Sequence, residues 1–156
     1  MPLRTEGAAD SPGRVPRPRT SFVGRERELA SMSHLLEEAQ LVTMTGPGGS
    51  GKTRLSIALA ARVGESFRNG VHFVPLAAVR DPALVPASIA QSTGLQDARG
   101  QSLLEHLGSY LADRQVLLIL DNFEQVMAAG EFVADLLGMS THLRIVVTSR
   151  SPLHVS

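Results

Sequence analysis

A three-layer α/β sandwich around a parallel sheet is the fold this sequence predicts, on three observations. Short apolar, β-rich runs at 41–45, 71–76, 116–120 and 143–148 alternate with stretches of helical periodicity. One of them, VLLIL (116–120), has no polar alternation, as expected of a strand buried on both faces of a parallel sheet. The first run leads through a Gly-rich loop into a helical stretch, the strand–loop–helix order of a phosphate-binding unit.

Residues 1–20, MPLRTEGAADSPGRVPRPRT, hold four of the nine prolines and little that packs, so they read as a disordered or extended leader ahead of one domain from 21 to 156. From Gly24, the residues Leu29, Met32, Leu35, Leu36 and Ala39 recur at three- and four-residue steps. Glu26 and Glu28 stand near the start, where the helix dipole favours acids, and the helix is expected to end near Gln40. LVTMT (41–45) is the first strand, and Leu55, Leu59 and Val63 mark the helix after the loop. VHFVPL (71–76) is the second strand. Asp81-Pro82 offers an N-cap and first helical residue for a helix toward Ser92, ended by Gly94, with Pro86 leaving its start open by a turn. Leu103, Leu104, Leu107, Tyr110 and Leu111 mark an amphipathic helix before VLLIL, Gln125 to Leu137 reads as one helix containing Gly130, and LRIVVT (143–148) is the last strand.

A chain of 156 residues and 16.6 kDa is one domain in size and can bury about two-thirds of its unfolded surface. Hydrophobic residues make up 43% and aromatics 4%, without Trp, so the core must be aliphatic. The formal net charge of zero creates no global field toward nucleic acid or anionic membrane, and basic residues do not cluster with aromatics, which argues against direct nucleic-acid binding by this segment. The absence of cysteine excludes disulfides, thiolate catalysis and Cys-based zinc sites. The five histidines, His34, His72, His106, His142 and His154, show no metal spacing. No apolar run approaches the ~18 residues of a membrane span and no secretion signal is visible, so a cytoplasmic protein is expected.

GPGGSGKT, Gly46 to Thr53, fits G-x-x-x-x-G-K-[ST] in full, between an apolar strand and a helix. Glycines let successive N–H groups curl around an anion, and the helix beginning near Gly51 adds its positive end. Gly46, Gly48, Gly49, Ser50, Gly51, Lys52, Thr53 and Arg54 are the candidate nucleotide contacts. Lys52 is expected to reach the β- and γ-phosphates, and Thr53 to offer its hydroxyl to Mg²⁺. The second half of such a site is an acid at the end of a buried strand, and VLLILD supplies Asp121 as the candidate second magnesium residue.

These pieces, with FVGRERE (22–28), VHFVPLAAVRDPALV (71–85), LLILDNFEQV (117–126) and RIVVTSRSPL (144–153), resemble the nucleotide-binding domain of STAND ATPases. That group of P-loop NTPases includes NB-ARC domains and the bacterial transcriptional regulators of the SARP and LuxR kinds. The resemblance implies that backbone near Val23 meets the adenine, that Arg25 lies beside the nucleotide, and that Arg150 reads the terminal phosphate. It implies a sheet in which the last strand lies between the P-loop strand and the Asp121 strand, with a fifth strand beyond the P-loop strand. It also implies a helical lid, a winged-helix module and sensor modules that residues 1–156 do not contain, so a fragment of a longer regulator is expected.

Hydrolysis needs a water aimed at the γ-phosphate, commonly by an acid directly after the magnesium acid. That position holds Asn122, which hydrogen-bonds a water but cannot take its proton; Glu124, two residues on, is the nearby acid that could substitute. The expectation is therefore an ATP- or ADP-holding switch with slow hydrolysis, Lys52, Asp121, Glu124 and Arg150 being the candidate catalytic residues. The alternative is an ATPase of the AAA+ kind acting in a nucleotide-dependent oligomer.

Overall fold

The computed structural model describes residues 14–16, 25–95 and 102–153. Four parallel strands, β1 (Leu41–Thr45), β2 (Val71–Pro75), β3 (Leu117–Asp121) and β4 (Arg144–Ser149), form one sheet in the order β1-β4-β3-β2. The last strand thus lies between the P-loop strand and the Asp121 strand, the order the family resemblance implies. Helices α1 (Glu26–Glu38), α2 (Lys52–Val63), α3 (Val85–Thr93), α4 (Leu103–Leu111) and α5 (Gly130–Gly138) complete three layers.

Alternation along the strands assigns the layers. Leu117 and Ile119 of β3, Val146 of β4, Phe73 of β2 and Val42 and Met44 of β1 pack with Leu29, Met32, Leu36, Leu55 and Leu59 of α1 and α2. Leu118, Leu120, Ile145, Val147 and Val74 face the other way, onto Ile89, Leu107, Leu111, Val133 and Leu136 of α3, α4 and α5. All five residues of β3 are buried, as its unbroken apolar run predicts. Of the expected leader, residues 14–16 are described, and Val15 packs against the α1–α2 side of the core.

One expectation left open is resolved, and another differs from what is found. Asp81 caps a 3₁₀ turn, Pro82–Leu84, through a bond from Ala83 N–H to Oδ1 of 3.0 Å, and α3 proper starts at Val85 with Pro86 in its first turn. Gln125 to Leu137 is also no single helix: Phe123–Ala129 winds as 3₁₀ with a break at Val126 (φ −130°, ψ 36°), and α5 begins at Gly130. The buried residues there, Phe123, Val126 and Ala129, are spaced by three, so they line up directly at three residues per turn and drift only gradually at 3.6.

On the edge strand β2, His72 is half-buried, with Nδ1 3.2 Å from the Ser92 carbonyl of α3. Burial lowers its pKa below the ordinary 6.5, outweighing the carbonyl contacts that raise it. On acidification the unfolded chain therefore takes up this proton before the folded one does. Stability from this group is complete above pH 6.5 and declines as pH falls from there through the lowered value. Thermal unfolding followed from about pH 7.5 to 5 is expected to lose part of its pH dependence in His72→Gln.

Candidate nucleotide site

The C-terminal ends of β1, β3 and β4 converge on one edge of the sheet, where the loop from Gly46 to Gly51 enters α2. Gly51 precedes α2 with φ 87° and ψ 17°, a left-handed conformation that glycine adopts without strain. A Cβ there would also stand 2.9 Å from Arg25 Nη1. That guanidinium donates to the Ser50 carbonyl at 3.0 Å and makes a two-pronged pair with Glu28 at 2.8 and 2.7 Å. The hydrogen bond from Arg25 holds the Glu28 carboxyl below its ordinary value. Arg25 thus touches the phosphate loop itself, and Val23 lies outside the described residues.

Lys52, the first residue of α2, turns back over its own loop. Its ammonium donates to the Gly46 carbonyl at 2.7 Å and the Pro47 carbonyl at 2.9 Å, and stands 3.4 Å from Ser50 Oγ. Thr53 Oγ1 lies 2.9 and 3.1 Å from the two oxygens of Asp121, to which its hydroxyl donates. From the middle strand, Thr148 Oγ1 donates to Asp121 Oδ1 at 2.7 Å. Asp121 is 5% exposed and held between two threonines. The Thr53 hydroxyl and Asp121 carboxylate form an oxygen-only donor pair of the kind a hard cation such as Mg²⁺ takes.

Past Asp121 the chain turns sharply. Asn122 has φ 63° and ψ 52°, the one non-glycine residue with positive φ among the described residues, and asparagine tolerates that region better than most. Its N–H donates to Thr148 Oγ1 at 2.9 Å and its side-chain amide to Glu124 Oε2 at 3.3 Å. The other oxygen of Glu124 accepts the Arg150 backbone N–H at 3.0 Å. Arg150 extends its side chain over the loop, where a Cβ on Gly48 would lie 3.2 Å from its Nη2.

These groups line a common cavity of about 390 Å³, walled by Lys52, Thr53, Arg54, Asn122, Glu124, Arg150 and the glycines Gly48, Gly49 and Gly51. Three cationic side chains and the open loop give it the chemistry of a polyphosphate site. A second hollow of about 510 Å³ runs along β1, an edge strand of the sheet among the described residues, between Met32 and Leu35 of α1 and the start of α2. Sequence reasoning assigned no role to Thr148, which orients Asp121 and anchors the Asn122 turn. Its signal is the threonine of TSR, one strand over from the acid.

The family model described as Novel STAND NTPase 1 matches residues 16–154. A Mycobacterium tuberculosis (strain ATCC 25618 / H37Rv) protein whose name places it among HTH-type transcriptional regulators is 39% identical over 123 residues, covering 78% of this chain and 14% of that protein. An uncharacterized protein of the same strain is 38% identical over 131 residues, 83% of this chain and 33% of its own length. The chain therefore spans 14% to 33% of the length of these relatives. Among solved structures, Cdc6p from Pyrobaculum aerophilum aligns with a TM-score of 0.63 at 21% identity, over 94% of this chain and 43% of that one. A Walker-type ATPase of Pyrococcus abyssi aligns with a TM-score of 0.60 at 16% identity, over 88% and 48%. Both share the α/β fold with a parallel sheet.

Proposed function

The chain belongs to the novel STAND NTPase 1 family, and from that premise we propose that it is a nucleotide-gated switch module of a longer regulator. ADP holds one state, ATP with Mg²⁺ the other, and slow hydrolysis resets it. The observation that carries this reading is the clasp of Thr53, Asp121 and Thr148 beside a complete phosphate loop, with Asn122 in the position directly after the acid.

In this reading the loop amides and Lys52 hold the β- and γ-phosphates, and Arg150 senses the terminal phosphate. Thr53 and Asp121 hold Mg²⁺, which neutralises phosphate charge when bound. The relatives' greater length and the HTH-type name of one support a role as one module among several, in which winged-helix, sensor and DNA-binding parts lie elsewhere. The hollow along β1, whose outer edge pairs with no other strand among the described residues, supports docking of a further strand there.

Calorimetry with ADP and with ATP·Mg²⁺, alongside phosphate release, tests the switch. Both nucleotides are expected to bind, with turnover slow and independent of protein concentration. Brisk hydrolysis that rises with concentration would replace the switch by an oligomeric ATPase.

A further inference from the structure

Asn122 cannot accept a proton, yet the cavity beside it does contain a base. Glu124 is the one carboxylate among the residues that line it, together with Lys52, Thr53 and Arg150. Asp121 is turned into the Thr53 and Thr148 hydroxyls. We propose that Glu124 orients and deprotonates the water that attacks the terminal phosphate, and that Asn122 is the arm that aims it. This rests on the reading of the site as a slow ATPase switch.

The local backbone explains how a residue two positions along reaches the place of one directly after the acid. The left-handed turn at Asn122 reverses the chain, and Phe123, fully buried, fixes the next segment to the core. Glu124 is thereby brought back toward the end of β4. There its oxygens are held separately, Oε1 by the Arg150 N–H at 3.0 Å and Oε2 by the Asn122 amide at 3.3 Å. Each carboxylate oxygen has two acceptor directions, so a held Glu124 keeps one free on each for a water. The Asn122 amide, engaged on Glu124, acts as a support.

In the step itself the water oxygen bonds to the γ-phosphorus while its proton passes to Glu124. The bond from that phosphorus to the β–γ bridging oxygen breaks, and its electron pair leaves with ADP. Because the Arg150 N–H holds the base while its side chain lies over the loop, one residue touches both the water-orienting group and the phosphate loop.

A merely structural Glu124 would act through its bond to Arg150, and Glu124→Gln retains an oxygen that can accept it. Single-turnover phosphate release from ATP·Mg²⁺ and calorimetric affinity are measured on wild type, Glu124→Gln, Asn122→Ala and the exposed control Glu131→Gln. Glu124→Gln is expected to slow release by about 100-fold while affinity stays within about threefold of wild type, a difference of under 1 kcal/mol. Asn122→Ala is expected to slow it less, by about 10-fold, and Glu131→Gln not at all. Wild-type release rates in Glu124→Gln with binding intact would overturn the assignment, and so would a Glu124→Gln that loses affinity for both nucleotides. A wild type that binds ATP and releases no phosphate would overturn slow hydrolysis together with Glu124. A wild type that binds neither nucleotide would overturn the proposed function itself.

Discussion

Lys52→Ala is expected to weaken ATP binding by about 10- to 100-fold, the ~1.5–3 kcal/mol of hydrogen bonds from a charged donor. The ammonium is the one flexible cation that starts on the loop itself, bonded to the Gly46 and Pro47 carbonyls at 2.7 and 2.9 Å. To meet phosphate it must exchange those carbonyls for anionic oxygens, and the gain is the difference between the two sets of bonds. ADP binding should fall less, since a lysine that bridges β and γ loses only half its role when γ is gone. Calorimetry with both nucleotides reads this directly, with Arg150→Ala as comparison: its loss should appear with ATP and leave ADP unchanged. Equal affinities for wild type and Lys52→Ala would remove the loop from the site.

The second large effect is at Asp121. Asp121→Asn keeps the shape of the clasp and an acceptor for a threonine hydroxyl, but removes the charge. The enhancement of ATP binding by Mg²⁺ over the same titration in EDTA should shrink by at least about 10-fold. Stability should change little, because the substitution also relieves a carboxylate that is 5% exposed and has two hydroxyl donors. A variant with undiminished magnesium dependence would show that Asp121 only braces β3 against α2 and β4.

Much of this was legible in the sequence because the residues concerned carry their own physics. VLLIL announces a strand buried on two faces, and Gly46 to Thr53 announces a glycine-bearing turn between a strand and a helix, both of which the fold contains. The break before Gly130 was not legible, since Phe123, Val126 and Ala129 fit a helical stripe nearly as well as a 3₁₀ one, and only the packed core distinguishes them. The direction of Glu124 was equally hidden. It depends on the left-handed Asn122 and on the backbone amide of Arg150, the residue just after β4 and 26 positions away in sequence. Thr148 belongs to the same class, because its role exists only once β4 lies beside β3.

β1 and β4 run side by side in register, Thr45 opposite Ser149, so the phosphate loop and Arg150 leave the sheet at the same level. The residue whose side chain lies over the loop is therefore also the first peptide unit of whatever polypeptide is joined after the sheet. In the proposed switch, a terminal phosphate held by Arg150 would pull on that junction, and the described residues after it, 151–153, form no helix that would absorb the displacement. In a longer regulator the site would work as the short arm of a lever, and the length and stiffness of the segment beginning at Ser151 would set how far the message travels.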